Sequence, residues 1–322
     1  MSYEIDPEYR AYLEERATDG IPPRHSLSTA GARQVVEEGP EKESPTVAAS
    51  RNLLVPGPNG DVPIRVYFPT TDPPHPVLLF IHGGGWVRGS LDGVDAKCRA
   101  IANRSGVLVV SVDYRLAPEH PFPAAVEDCI AALRWIHEYA DTISADPTRC
   151  AVGGMSAGGN LTAVLSRWAR SRSDVSIDYQ LLLNPVTDYE PDNESYETFD
   201  RAFWRDLCPP GAGGYPLSLE DMTWYWRRYL RSDLDAANPH VSPLRASDVS
   251  GVPPATVVTS ELDPLRDEGR EYADRLAAAG VPVEHFEYEG AFHSYVALFS
   301  DLEGADAALD EISYSLVDGL EG

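Results

Sequence analysis

The chain has 322 residues, and 43% of them are hydrophobic, which is enough for one large domain with a substantial core. Its 51 acidic and 26 basic residues give a formal net charge of −25, and a field of that sign repels nucleic acid and anionic lipid headgroups, so neither is expected as a partner. The acidic start resembles no signal peptide and the apolar runs are too short to span a bilayer, so we expect a cytoplasmic protein.

The acidic excess has two explanations that the sequence alone does not separate. Self-repulsion at this charge destabilises a compact chain unless salt screens it, so one explanation is adaptation to a salt-rich cytoplasm. The other is an ordinary acidic bacterial protein. A GC-rich genome would explain why Lys42 and Lys97 are the only lysines, but it would not explain the excess of carboxylates.

The cysteines predict neither a disulfide framework nor a zinc site. They lie far apart without a Cys-x-x-Cys pair, and in a reducing cytoplasm such residues act as small buried hydrophobes. The four are Cys98, Cys129, Cys150 and Cys208.

The first part of the chain predicts a helix followed by a hairpin. The helix is expected over Pro7–Arg16, and a charged segment, Glu37–Pro45, follows it. Residues 1 to 45 are too few for a domain, so they must pack on another part of the chain. The alternating apolar residues of Arg51–Pro69, around a turn at Pro56–Asp61, are typical of a β-hairpin.

From residue 76 onward, apolar strands alternate with helices. Strands are predicted at Pro76–Ile81, Gly106–Val112, the run ending at Gly153, Tyr179–Leu183, Ala255–Thr259 and Val283–Tyr288. Helices are predicted at Ala96–Ser105, Ala124–Ala140, Gly159–Arg170, Leu265–Ala279 and Ala305–Leu320. This alternation indicates an α/β fold with a mostly parallel, doubly wound sheet, whose functional loops lie at the carboxyl ends of the strands.

One stretch interrupts the alternation. About seventy residues separate Pro185 from Ala255, more than a single crossover needs. The stretch is rich in aromatic residues: Phe199, Phe203, Trp204, Tyr215, Trp224, Tyr225, Trp226 and Tyr229. A helical extension of the core would explain it. We favour instead a helical cap that covers an apolar pocket. The prediction is one domain over 1–322, with a cap from about 1–45 and 187–240 over a core at 46–186 and 241–322.

The segment Gly154-Met155-Ser156-Ala157-Gly158 has the pattern of a nucleophile elbow. A strand-like run precedes it and a helix-forming run follows it, the context in which a serine Oγ is exposed at the end of a strand. Glycines are needed because side chains at Gly154 and Gly158 would collide as the turn closes. The pattern alone is also compatible with a glycine-rich turn in which the serine is idle.

A serine nucleophile needs a base, and on this fold the partners follow in the order serine, acid, histidine. Only His240, His285 and His293 come after Ser156. His285 lies inside a predicted strand, and His240 precedes the expected position of the acid. His293 follows the last strand and is therefore the best candidate.

The acid is expected at the end of the preceding strand, where Asp263 stands. Asp263 followed by Pro264 would also make a good N-cap for the next helix, and both roles are compatible. Glu261 is the alternative acid.

The segment His82-Gly83-Gly84-Gly85-Trp86 follows a predicted strand and exposes backbone N–H groups without Cβ obstruction. Such donors stabilise the oxyanion of an acyl-transfer intermediate. A flexible loop or a phosphate cradle would also contain glycines, but neither a Gly-Lys-Ser/Thr nor a Gly-x-Gly-x-x-Gly pattern accompanies these.

Together these segments resemble the hormone-sensitive-lipase branch of the α/β-hydrolases, a branch of bacterial and archaeal carboxylesterases. The resemblance rests on His82–Trp86, Asp113–Glu119 with Pro121–Ala125, Gly154–Asn160 and Asp263–Gly269, in the family's order and spacing. It implies an α/β-hydrolase fold with Ser156 as nucleophile, Asp263 as orienting acid and His293 as base. It also implies an oxyanion hole formed by the N–H groups of Gly84, Gly85 and Ala157. Tyr114–Glu119 is assigned a bracing role and no chemistry.

The chain departs from the family at two positions. Met155 stands where the family usually has Asp or Thr, so any hydrogen bond made by that polar residue is in doubt. The loop Ala291–Tyr295 lacks the glycine that often follows the histidine. Neither departure removes a triad residue.

The expected function is hydrolysis of a small-molecule carboxylic ester through an acyl-enzyme, on short-to-medium acyl chains. An amide or acetyl hydrolase could use the same triad. A ligand-binding receptor of this fold is a third reading, which His293 argues against because such a receptor lacks the catalytic histidine. We expect no cofactor and no metal. The natural substrate, enantiopreference and a homodimer stay open.

Overall fold

The computed structural model describes residues 3–37, 44–189, 192–208 and 216–321. Lys42, Tyr215 and most of the charged segment Glu37–Pro45 lie outside these residues. Within them, none of the helices has the length and hydropathy needed to cross a membrane.

The strands of the described residues form one sheet. They are β1 (Ala49–Gly57), β2 (Gly60–Phe68), β3 (His75–Ile81), β4 (Leu108–Val112), β5 (Ala145–Met155), β6 (Tyr179–Leu183), β7 (Ala255–Leu262) and β8 (Val283–Phe292). Their order across the sheet is β1-β2-β4-β3-β5-β6-β7-β8. The pairs β1–β2 and β2–β4 are antiparallel, and every pair from β4 to β8 is parallel. The predicted hairpin and the mostly parallel sheet are therefore confirmed.

The described helices are α1 (Pro7–Arg16), α2 (Thr29–Glu37), α3 (Asp95–Ser105), α4 (Ala124–Glu138), α5 (Ala157–Ala169), α6 (Glu194–Thr198), α7 (Arg201–Leu207), α8 (Leu219–Tyr229), α9 (Arg266–Ala278) and α10 (Glu303–Glu321). Alternate residues of β3 bury opposite faces of the sheet, because successive side chains of a strand point to opposite sides. Leu79 and Ile81 pack with α4 and α5, whereas Leu78 and Phe80 pack with α3 and α10. The sheet is thus covered on both faces, as the apolar strands predict.

Three expectations from the sequence need correction. Helix α9 begins at Arg266, with Leu265 at its N-cap position, so Asp263 is not the cap. The strand before it is longer than predicted and runs to Leu262, because Ser260 and Leu262 continue the pairing with β8. Cys208 is only partly buried, unlike the other three cysteines, and all four are free thiols.

The N-terminal segment packs against the aromatic stretch after β6. Tyr3 lies edge-on to Phe199, with ring centroids 5.1 Å apart. The Trp224 indole N–H donates to the carbonyl of Leu27 at 3.2 Å. Arg24 Nη1 lies 3.5 Å from Asp221 Oδ2. These contacts are the ones a cap assembled from both segments would make, and the division into cap and core stays a prediction.

Candidate active site

Ser156 occupies the turn between β5 and α5 with φ 58° and ψ −118°. A non-glycine residue in this region is strained, and the surrounding contacts must hold it there. Its N–H donates to the carbonyl of Leu183 on the neighbouring strand at 2.8 Å. A Cβ at Gly154 would lie 2.5 Å from Gly158, and a Cβ at Gly158 would lie 2.0 Å from the carbonyl oxygen of Ile81. The turn can close only because both positions are glycine.

The three predicted triad residues lie in hydrogen-bond contact. His293 Nε2 is 3.0 Å from Ser156 Oγ, and His293 Nδ1 is 2.7 Å from Asp263 Oδ2. Ser156 follows β5, Asp263 follows β7 and His293 follows β8, so the parallel sheet brings the ends of all three strands to one edge. The Asp263 side chain is 1% exposed and that of His293 is 11% exposed, which shields both from bulk water.

Two further donors hold the Asp263 carboxylate. Oδ1 accepts from the N–H of Leu265 at 3.0 Å, and Oδ2 accepts from Nδ2 of Asn184 at 3.0 Å. Asn184 follows β6, has φ 44°, and also donates to Ser260 Oγ at 2.9 Å. The sequence interpretation missed Asn184. The available signal was its place at the carboxyl end of a strand, where asparagine also tolerates a positive φ.

The residues that the sequence offered as alternatives for the base and the acid have other surroundings. His285 Nε2 is 2.9 Å from Thr259 Oγ1 within the sheet, and burial lowers the pKa of its imidazole. Burial also lowers the pKa of His240. Glu261 Oε2 accepts from the N–H of Gly290 at 2.8 Å, so this carboxylate braces β8 instead of the histidine that follows it.

The glycine loop after β3 lies beside Ser156. Gly84 has φ 115° and Gly85 has φ 59°. A Cβ at Gly84 would lie 2.2 Å from the carbonyl oxygen of Arg88, and one at Gly85 would lie 2.1 Å from the ring of Tyr225. Within the described ranges, no acceptor is found for the N–H groups of Gly84, Gly85 or Ala157. These donors are therefore available to a negatively charged oxygen.

His82 supports this loop from behind. Its ring stacks on Tyr114, with centroids 4.2 Å apart, and Nδ1 donates to the carbonyl of Gly83 at 2.8 Å. The Tyr114 hydroxyl donates to the carbonyl of His82 at 3.0 Å. Burial lowers the pKa of the His82 imidazole to about 4, so the ring is neutral near pH 7. His82 thus holds the loop's geometry, and Tyr114 has the bracing contact expected of its segment.

A cavity of about 240 Å³ opens above Ser156 and His293. The residues from the aromatic stretch that line it are Leu217, Met222 and Tyr225. Met155 also lines it, and its Sδ accepts a weak hydrogen bond from Lys97 Nζ at 3.7 Å. Met155 therefore faces the cavity, at the position where the family resemblance led us to expect a polar residue. In the described residues, no group of three or more His, Cys, Asp or Glu side chains could hold a metal ion.

Comparison with known proteins gives consistent matches. Residues 78–297 match a family described as having the alpha/beta hydrolase fold. The chain is 43% identical over 272 residues to the carboxylic ester hydrolase LipN of Mycobacterium tuberculosis, covering 82% of this chain and 69% of that protein. It is 37% identical over 290 residues to the esterase LipI of the same organism, covering 87% and 86%. The ester-hydrolase EH1AB1 from the metagenome of Lake Arreo, solved with a bipyridine phosphonate derivative, superposes with a TM-score of 0.89 at 37% identity, over 99% of this chain and 100% of that one.

Proposed function

This chain belongs to the hormone-sensitive-lipase-like family of α/β-hydrolase carboxylesterases, and from that membership we propose that Ser156, His293 and Asp263 hydrolyse carboxylic esters through an acyl-enzyme. The observation that carries the proposal is the continuous hydrogen-bonded series from Ser156 Oγ through the His293 ring to Asp263, at 3.0 and 2.7 Å. Both distances are within the range needed for proton transfer and for orientation of the base.

In the acylation step, His293 Nε2 takes the proton from Ser156 Oγ while Oγ forms a bond to the ester carbonyl carbon. The carbonyl π electrons move to oxygen, and the resulting oxyanion accepts hydrogen bonds from the N–H groups of Gly84, Gly85 and Ala157. The intermediate collapses as the bond to the alcohol oxygen breaks, and the His293 imidazolium protonates that oxygen. The products are the free alcohol and the Ser156 acyl ester.

Deacylation repeats the same steps with water. His293 removes a proton from water as the water oxygen attacks the acyl carbonyl, and then returns a proton to Ser156 Oγ. Asp263 accepts the hydrogen bond from Nδ1 throughout, which selects the tautomer with the free electron pair on Nε2 and stabilises the imidazolium. Hydrogen bonds from the Leu265 N–H and the Asn184 amide stabilise the negative charge of Asp263.

The cavity supports a short-to-medium acyl or alcohol group as part of this proposal. A volume of about 240 Å³ is below the usual range for drug-sized ligands, and Leu217, Met222 and Tyr225 close it with apolar surface. We also propose a cytoplasmic site of action, which the free thiols of all four cysteines support because a reducing compartment preserves them.

The proposal is tested with p-nitrophenyl butyrate and a serine-directed organophosphate. The wild-type protein should release a burst of p-nitrophenol, and mass spectrometry should locate a single phosphoryl adduct on the peptide that contains Ser156. Ser156→Ala should show neither, whereas Ser171→Ala, an exposed serine, should behave like wild type. Equal labelling of Ser156→Ala, or turnover of a p-nitroanilide faster than the ester, would overturn the ester-hydrolase mechanism.

A further inference from the structure

The cavity above Ser156 carries an unusual concentration of positive charge for this chain. Arg24, Arg88 and Lys97 all line it, and no Asp or Glu is found among the described residues that do. The chain as a whole has a net charge of −25. A cationic lining in so acidic a protein is a local feature of the site and cannot be attributed to overall composition.

Lys97 approaches the cavity from α3. The residue is 6% exposed, and its Nζ lies 3.7 Å from Met155 Sδ, directly before the nucleophile. A thioether sulfur is a weak acceptor that carries no charge, and Lys97 is one of the residues that line the cavity. An anion in the cavity would gain from an ammonium held in a low-dielectric position.

Arg88 follows the glycines of the loop that carries the proposed oxyanion donors. Its N–H donates to the carbonyl of Gly84 at 3.1 Å, which fixes the residue beside the reacting centre. Its Nε is buried and has no acceptor among the described residues. Burial also lowers the pKa of the Arg88 guanidinium.

The carboxylate of Asp221 lies near the cationic lining of the cavity and accepts hydrogen bonds from several donors. Asp221 Oδ2 is 3.5 Å from Arg24 Nη1, and Asp221 Oδ1 accepts from the N–H of His25 at 3.0 Å and lies 3.1 Å from its ring Nδ1. Arg24 Nη1 also donates to the carbonyl of Pro216 at 3.2 Å. Asp221 is 2% exposed and does not line the cavity. Asp221 therefore balances part of the charge of Arg24 from outside the cavity, and no carboxylate of the described residues lines the cavity itself.

We propose that the preferred substrate is an ester that carries its own carboxylate, such as the monoester of a short dicarboxylic acid, with that carboxylate bound by Arg88 and Lys97. The inference rests on the ester-hydrolase function of Ser156 and adds the charge of the substrate to it. Charge-assisted hydrogen bonds from Arg and Lys to a carboxylate are among the stronger polar contacts in proteins, and burial strengthens them. The spacer between the two acid groups is short because the cavity holds about 240 Å³.

The test compares two esters that differ in charge and are matched in shape. Monoethyl glutarate carries a free carboxylate, and ethyl 5-amino-5-oxopentanoate carries a carboxamide in its place. Release of ethanol from each gives kcat and KM. The wild-type protein should show a kcat/KM at least tenfold higher for the anionic ester, and the preference should lie mainly in KM.

Substitutions distinguish binding of the carboxylate by the cavity residues from the effect of the protein's net charge. Lys97→Met and Arg88→Gln should each reduce the anionic preference by about tenfold, as expected for loss of one charged hydrogen bond, when the preference is taken as the ratio of kcat/KM for the two esters on the same variant. Arg88→Lys should retain most of the preference because it keeps the charge. Arg134→Met removes the same charge from the surface of α4, where the side chain is 47% exposed, and should leave the preference unchanged. If Lys97→Met lowers the folded fraction in a circular dichroism melt, the two Arg88 variants decide the question.

Two failures are distinguishable. If the wild-type protein hydrolyses the carboxamide ester and p-nitrophenyl butyrate but shows no preference for the anion, or if neither Lys97→Met nor Arg88→Gln alters an observed preference, the charge inference is wrong and the esterase function stands. If none of the three esters is hydrolysed, the proposed function itself fails.

Discussion

The Asn184 amide donates to the same Asp263 oxygen that accepts from His293, at 3.0 Å. The donor stabilises the carboxylate that orients the base. Asn184→Ala should therefore lower kcat by about tenfold with KM little changed, since the amide acts on the proposed catalytic groups and does not touch the substrate.

Asn184→Gly is the matched control for this position, because φ is 44° there and alanine at such a φ adds backbone strain. Both variants should lose the same activity, but Asn184→Ala should be less stable in urea unfolding. A fall in KM alone, or wild-type kcat in both variants, would exclude a positioning role for the amide.

The strain at Ser156 gives a second prediction. Ser156→Ala and Ser156→Gly both remove Oγ, and both should lose about six decades of esterase turnover by analogy with other triads. They should differ in stability. Glycine adopts φ 58° and ψ −118° without a Cβ penalty, so Ser156→Gly should exceed Ser156→Ala in unfolding free energy by about 1 kcal/mol, after the entropy cost of glycine in the unfolded chain. Equal stabilities in chemical denaturation would show that the surrounding contacts, and not the backbone conformation, set the energy of this turn.

Gly85 tests the proposed oxyanion loop. A Cβ there would lie 2.1 Å from the Tyr225 ring, so Gly85→Ala must displace either the loop or the ring. If the loop moves, kcat should fall by about a hundredfold through loss of an oxyanion donor, with a smaller change in KM. Adding Tyr225→Ala should recover part of that loss by making room.

Gly251→Ala is the control for the cost of placing a Cβ on a residue with positive φ. Gly251 has φ 67°, and no atom lies within 4 Å of the added Cβ. It should lower the unfolding free energy by about 1 kcal/mol and leave kcat unchanged. If Gly85→Ala were no worse than Gly251→Ala in kcat, the loop would have no role in catalysis.

Buried His82 predicts a pH-dependent stability. Its folded pKa is about 4 against 6.5 in the unfolded chain, so between these values the unfolded state binds the extra proton. The contribution of neutral His82 to the free energy of unfolding is constant above pH 6.5. It is lost as the pH falls from 6.5 to 4, by about 3 kcal/mol in total. His82→Phe should remove that term.

The measurement is the difference in unfolding free energy between wild type and His82→Phe, which cancels other titrating groups. His82→Phe should be less stable at pH 7, because the hydrogen bond to Gly83 is lost, and this deficit should shrink as the pH approaches 4.5. A difference that is constant from pH 7 to 4.5 would mean that His82 takes up its proton in the folded state as readily as in the unfolded one.

The net charge of −25 predicts a salt response. If the protein is adapted to a salt-rich cytoplasm, its Tm and esterase rate should rise between 0.1 and 1 M KCl and then level off, because the Debye length falls from about 10 Å to about 3 Å over that range. A Tm that is flat or falls with KCl would identify an ordinary acidic protein.

The local pattern of the sequence determined the strands, most of the helices and the three candidate catalytic residues. Apolar runs of strand length between amphipathic helices can be buried only in a covered parallel sheet, so the fold followed without any knowledge of contacts. Ser156, Asp263 and His293 could be named because each stands just after a strand, and parallel strands end at one edge.

Only the tertiary structure decided which side chains meet across that edge. Asn184 carries no motif, and its role depends on β6 lying between β5 and β7, which strand spacing does not reveal. Local propensity suggested Asp263 as a helix cap, but the pairing of β7 with β8 extends the strand to Leu262, and α9 begins at Arg266, three residues after Asp263. Pairing across a sheet outweighs local preference because it buries more surface and satisfies more backbone groups.

The cationic lining of the cavity shows most clearly what could not be predicted from the sequence. Arg24, Arg88 and Lys97 come from three segments without a shared pattern, and Met155 between them looked only like a departure from its relatives. A sequence states which charges a chain carries and how they follow one another. Which of them converge on one buried volume depends on long-range packing, and that packing sets the electrostatic environment of a substrate.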